Sequence, residues 1–165
     1  MTERSVEHAS GHDPARIRNL PDEAATAALG QCFAQALQGG GLVVYLHGEL
    51  GAGKTSFARA LLGALDVGER IKSPTYSLVE GYRAQGRPAW HLDLYRIADP
   101  GELEWLGLDA LSDPLALVLV EWPERGRGAL PAPDLVIDLA YAGSGRQAVL
   151  RALSGRGRSV LDRLA

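Results

Sequence analysis

The sequence is nearly without cysteine. Cys32 is the single thiol in 165 residues, which excludes an internal disulfide and a zinc site built from cysteines, and agrees with a reducing compartment. Neither sign of charge is in large excess. At a net charge of -3 no general field draws the chain onto nucleic acid, and only a local basic face could do so. Long apolar runs are also missing. Met1–His8 has no apolar core of signal-peptide length, and no later run is long enough to span a bilayer, so the expectation is a soluble, cytoplasmic protein without a membrane partner. A chain of this length buries roughly 70% of its extended surface, enough for one self-sufficient core.

What is present centres on Gly48-Glu49-Leu50-Gly51-Ala52-Gly53-Lys54-Thr55. The apolar, β-rich run Leu42-Val43-Val44-Tyr45-Leu46 precedes it, and Ser56-Phe57-Ala58-Arg59-Ala60-Leu61-Leu62 follows, with Phe57, Leu61 and Leu65 on one helical face. Strand, glycine loop and helix in that order form a P-loop. The loop aims successive backbone N–H groups and a helix N-terminus into one concavity suited to phosphate. Lys54 is then expected on the β- and γ-phosphates. The Thr55 hydroxyl is expected on a Mg2+ ion that bridges them, with ATP as substrate.

Before this loop, residues 1–15 read as a disordered leader. His8 and His12 are too few to argue for a metal site. Arg16–Leu20 alternates as a short strand, and Asp22 to about Gln38 carries Ala25, Leu29, Cys32, Phe33 and Ala36 at helical spacing. The P-loop helix is expected to end near residues 66–68. Residues 71–82 begin as a loop and become a strand, and 89–95 read as the returning strand of a hairpin across a turn at 84–88. In its second strand Trp90, Leu92 and Leu94 fall on one side, while His91, Asp93 and Tyr95 form a polar side open to water, ligand or partner. Asp99 and Pro100 open a short helix. Leu115–Val120 is apolar throughout, as in a central strand covered on both faces. Two strands, about 134–141 and 148–153, flank a turn at 143–146, and a helix of about 158–164 follows. The expected fold is α/β, a single small P-loop NTPase domain over residues 16–165 with a mixed central sheet flanked by helices.

Hydrolysis needs a carboxylate near the metal and a group that orients water. Glu121 ends the apolar strand, where α/β proteins form their ligand crevice, and is the candidate magnesium ligand. An exposed strand-end charge is the alternative. Asp93 is a candidate for orienting water or completing the magnesium shell, against a plain solvated position on a hairpin. Ser73, Pro74, Thr75 and Tyr76 form a stiff loop whose hydroxyls suit a γ-phosphate sensor, against an ordinary turn. Trp122 reads as core or cover. The arginines Arg146, Arg151, Arg156, Arg158 and Arg163 read as a solvated face.

Together, Gly48–Thr55, Ser73-Pro74-Thr75-Tyr76, His91-Leu92-Asp93-Leu94-Tyr95-Arg96 and Glu121-Trp122-Pro123 resemble the successive signatures of the TsaE family, over about residues 20–141. The resemblance implies a small bacterial ATPase required for threonylcarbamoyladenosine beside the tRNA anticodon. It would act with the TsaD and TsaB proteins, and meet tRNA through that complex. It also implies roles for single residues. Lys54 would be the phosphate lysine, Thr55 and Glu121 magnesium ligands, and Asp93 the acid needed for hydrolysis, also near the metal. Glu23, Ser56 and Trp122 would lie at the nucleotide, and Ser73–Tyr76 would form a switch-like loop. Ser56 stands where many members have a second threonine. No arginine finger or lid insertion is evident, so slow turnover alone is expected. A small-molecule kinase and a nucleotide-controlled binding module are the alternatives.

Overall fold

The computed structural model describes residues 14–67, 71–74 and 77–164. Nearly all of the expected leader, and Thr75 and Tyr76 of the switch-like loop, lie outside them. Seven strands, β1 (Arg16–Leu20), β2 (Leu42–His47), β3 (Val79–Ala84), β4 (Arg87–Asp93), β5 (Leu117–Glu121), β6 (Leu135–Ala142) and β7 (Gly145–Ala152), form one sheet in the order β1-β7-β6-β2-β5-β4-β3. The centre, β6-β2-β5-β4, is parallel, while β7, β1 and β3 attach antiparallel. The sheet is therefore mixed, as expected.

Two helices, α1 (Glu23–Ala36) and α2 (Lys54–Ala64), cover one face. Phe33 and Phe57 meet edge to face between them at 5.3 Å, above a core that includes Val44, Leu46, Leu119 and Ile137. The other face buries Val43, Leu92, Val118 and Val120 against Leu103 and Leu111 of two 3₁₀ turns, Pro100–Leu106 and Leu108–Ser112. With both faces covered, every residue of β5 is buried, which is why that strand reads as an unbroken apolar run. Asp99 and Glu102 form a capping box at the first 3₁₀ turn, with Pro100 at its start.

Several boundaries shift from those read in the sequence. Helix α2 stops at Ala64. The hairpin turn shrinks to Gln85-Gly86, both at positive φ, so Arg87 and Pro88 join β4. The β6–β7 turn is likewise shorter, and β7 begins at Gly145. Helix α3 (Gly155–Arg163) starts earlier than expected because Ser154 caps it, accepting from the N–H of Gly157. Its two early glycines hide that start. A side chain at Gly157 would strike the carbonyl of Asp134, so close packing on the sheet requires glycine there.

Parallel β2, β5 and β4 end at the same edge of the sheet. The P-loop follows β2, Glu121 closes β5 and Asp93 closes β4, with Leu46, Glu121 and Asp93 in lateral register. Three segments far apart in sequence thus deliver their polar residues to one place.

Candidate functional site: a phosphate cleft at the strand ends

The P-loop owes its path to backbone geometry. At Gly48 a Cβ would lie 2.5 Å from the carbonyl oxygen of Leu139, so the loop can pass β6 only with glycine. Gly53, at φ 105°, stands at the N-cap of α2 and offers no side-chain hydrogen bond. The contrast with the other α-helices is informative: α1 is capped by Asp22 and α3 by Ser154. Among the described α-helices only α2 leaves its first N–H groups without a side-chain cap, a geometry that suits an anion.

A cleft of about 350 Å³ opens over this helix end, lined by the loop, Glu23, Asp93, Tyr95, Glu121, Trp122 and Arg146. Lys54 lies inside it. Its ammonium donates to the carbonyl oxygens of Gly48 and Glu49, the latter at 3.0 Å, and sits 4.4 Å from the centroid of the Trp122 ring. Burial pushes the Lys54 pKa down, and the negative charges of Glu121, Asp93 and Glu124 oppose that shift. The net direction is downward, so the free site begins to lose its ammonium at a lower pH than an ordinary lysine.

The corner opposite Lys54 is made of hard oxygen atoms. The Thr55 hydroxyl donates to Glu121 Oε1 at 2.7 Å, joining the start of α2 to the end of β5. Glu121 is 2% exposed, so the reading of an exposed strand-end charge is wrong. Its second oxygen, Oε2, lies 2.7 Å from Nε2 of the fully buried His91. The carboxylate oxygen accepts and His91 donates through Nε2, while its Nδ1 has no partner among the described residues. Asp93 is buried at 8% exposure, with Oδ1 accepting from the N–H of Tyr95. His91 and Asp93 of the polar side are therefore buried, whereas Tyr95, past the end of β4, lines the cleft and stays 40% exposed. The sequence places His91 on a polar face but assigns it no role, because alternation shows that such a face exists and not what covers it.

Trp122 follows β5 directly, with a left-handed backbone at φ 58°. Its ring packs against Tyr95 at 5.1 Å with the two planes tilted by 54°, and the Arg125 guanidinium approaches both rings. It packs against the core around Val118 and Val120, as the reading of core or cover expects, and also meets the Lys54 ammonium. A nucleotide that draws Lys54 onto its phosphates will alter this cation–π contact. ATP should change the intrinsic fluorescence of the protein, and Trp122→Phe should remove most of that change. Equal responses in the two proteins would put the reporter at Trp90 or Trp105.

The remaining expected residues divide. Ser56 and Glu23 meet at 3.3 Å on the rim of the cleft, beside exposed Leu50 and Glu49, while Ala52 is buried beneath the loop. Ser73 and Pro74 do not line the cleft. The Pro74 carbonyl accepts from Leu78 N–H and shapes the entry to β3. One arginine departs from the expected solvated face: Arg146 of β7 donates to the Gly51 carbonyl oxygen at 2.7 Å and lines the cleft. Beside it Tyr141 O–H donates to the Leu50 carbonyl oxygen at 2.9 Å. The β6–β7 hairpin thus braces the outer side of the P-loop.

A glycine loop after a parallel strand, an uncapped helix start, and acidic residues at neighbouring strand ends define a P-loop domain of the α/β class. Comparison with known proteins narrows this. The family described as "Threonylcarbamoyl adenosine biosynthesis protein TsaE" matches residues 20–149, and the chain belongs to that family. The tRNA threonylcarbamoyladenosine biosynthesis protein TsaE of Haemophilus influenzae is 38% identical over 147 residues, covering 87% of this chain and 93% of the relative. The Bacillus subtilis protein of the same name is 32% identical over 151 residues, covering 91% and 92%. The crystal structure of Bacillus subtilis YdiB superimposes with a TM-score of 0.76 at 28% identity, covering 92% of this chain and 94% of that one.

Proposed function

We propose that the chain is a magnesium-dependent ATPase that supports threonylcarbamoyladenosine formation on tRNA by working with TsaD and TsaB. The observation that carries this reading is the 2.7 Å contact between Thr55 and Glu121 beside the uncapped start of α2. It puts one hydroxyl and one carboxylate next to the place where phosphates bind. Among the described residues no three histidine, cysteine or acidic side chains converge as a dedicated metal cage. Mg2+ does not need one, because it is commonly held by one or two protein oxygens together with nucleotide phosphates. Thr55 and Glu121 fit that donor chemistry. Bound there, the ion would neutralise charge shared between the β- and γ-phosphates.

The chain's own groups supply the rest. The open N–H groups of the loop and of α2 hold the phosphates, and Lys54 leaves its carbonyl acceptors to pair with them. His91 keeps the Glu121 carboxylate turned toward Thr55. Asp93, beside Glu121 in register, orients a water molecule toward the γ-phosphorus and accepts its proton as the bond to ADP breaks. Glu23, Ser56 and Trp122 border the rest of the nucleotide. TsaD and TsaB, and tRNA through them, enter from family membership, which carries the biosynthetic role but not the contacts.

Glu121→Gln provides the test. It keeps the volume and leaves a carbonyl oxygen for His91, while removing the charge. The Mg2+ concentration giving half-maximal ATP turnover should rise about tenfold or more, the worth of one charge-assisted contact, and maximal turnover should fall with it. An unchanged magnesium titration would remove Glu121 from the metal site.

A further inference from the structure

We propose that Arg146 is a phosphate-gripping residue of the nucleotide site, supplying from β7 a second fixed positive charge next to Lys54. This rests on the reading of the cleft as a nucleotide site and adds to it a residue outside the P-loop and the acidic strand ends.

Four observations lead to it. Arg146 lines the cleft with Lys54, Thr55, Asp93 and Glu121. Its guanidinium lies against the part of the loop whose backbone N–H groups receive phosphate: Nη2 donates to the Gly51 carbonyl oxygen at 2.7 Å, and Nη1 is 3.7 Å from the position a Cβ on Gly53 would take. Among the described residues no carboxylate pairs with it, although Arg16, Arg151 and Arg156 each have one. Its Nε is buried and has no acceptor among the described residues. A half-buried guanidinium with unused donors and no counter-charge, at the lip of an anion site, is completed by an anion.

The support behind it suits that task. β7 is paired on both edges, and Arg146 stands opposite Leu20 of β1 and Tyr141 of β6. The Tyr141 ring lies 5.7 Å from the guanidinium carbon. The charge is therefore carried by a strand inside the sheet and not by a mobile loop, so little ordering is needed when phosphate arrives. The bond to Gly51 uses one donor of Nη2 and leaves N–H groups along the edge of the planar group, through two of which a guanidinium can meet phosphate oxygens.

Equilibrium binding of ATP and of inorganic tripolyphosphate to the wild-type chain, Arg146→Gln, Arg146→Lys and Tyr141→Phe tests this. Tripolyphosphate has the phosphates without base or ribose. Arg146→Gln should weaken both ligands by a similar factor, about ten- to a hundredfold for loss of one charge-assisted contact. Arg146→Lys should recover part of that affinity. Tyr141→Phe, which removes the neighbouring brace on Leu50 without changing charge, should lose less than about threefold, as for one neutral hydrogen bond. The thermal midpoint of each ligand-free variant should stay close to that of the wild type.

A loss confined to ATP would mean that Arg146 contacts base or ribose, and would overturn the proposal. An equal loss in Tyr141→Phe, or a drop in ligand-free stability that accounts for the weaker binding, would reduce Arg146 to a brace on the loop. Unchanged affinity in Arg146→Gln would overturn it outright. Failure of the wild-type chain to bind either ligand would overturn the nucleotide-site reading itself, an outcome separate from all of these.

Discussion

Lys54→Ala should lose ATP binding by about a hundredfold or more, because the ammonium makes more than one charge-assisted contact and each is worth roughly 1.5–3 kcal/mol. The structure makes this substitution informative. Lys54 is 5% exposed, and its stem runs along the start of α2 to reach the Gly48 and Glu49 carbonyl oxygens. Alanine is a better helix former than lysine at that position and relieves the burial of a charge, which offsets part of the loss of the two loop hydrogen bonds while the site loses its central cation. Binding and stability should therefore separate: calorimetric titration with ATP becomes flat, and the thermal midpoint changes little. A Lys54→Ala protein that still binds ATP within a fewfold of wild type would exclude Lys54 as the phosphate lysine. The lowered pKa of Lys54 adds a pH dependence with a definite sign. The free ammonium is lost earlier on the alkaline side than in an ordinary lysine, so ATP affinity should decline as pH rises toward that range, and not as pH falls through neutrality.

Asp93→Asn should act in the opposite way, leaving ATP affinity within a fewfold and lowering turnover by about 10²–10⁴, the range for loss of a positioned general base. The carboxylate lies beside Glu121 in register, at the end of a strand held between β3 and β5. Asparagine keeps its size and an oxygen to accept from the Tyr95 N–H, so the β4 terminus should hold its shape. Single-turnover measurements at saturating ATP and Mg2+ isolate the chemical step from binding. Full turnover in Asp93→Asn would withdraw its catalytic role.

These expectations show which parts of the site a sequence carries openly. The P-loop is legible because its geometry is local: glycines where side chains cannot pass, then Lys54-Thr55 at the first helical turn. Glu121 is legible because an unbroken apolar run marks a strand covered on both faces, and the carboxyl end of such a strand is where ligands collect. The capping pair Asp99 and Pro100 is legible for the same local reason. His91 is not. Its partner Glu121 is 30 residues away, and only the helix packed over that face decides whether a polar residue meets water or a buried carboxylate. Arg146 is still less so, since it meets Gly51 across 95 residues of chain through a strand order that no local pattern records. The start of α3 was hidden by glycines that favour turns when alone but here allow close packing over Asp134. The order β1-β7-β6-β2-β5-β4-β3 is a global property, and it is what turns scattered polar residues into one cleft.

The central claim is that ATP is hydrolysed here in support of a partner-driven cycle. Magnesium-dependent release of inorganic phosphate from ATP, measured with the chain alone and with TsaD and TsaB added, tests it most directly. The account predicts slow release alone, a marked rise with both partners, and loss of both activities in Lys54→Ala. Turnover that the partners leave unchanged, or phosphate transfer that begins only when a small hydroxyl-bearing acceptor is supplied, would contradict it.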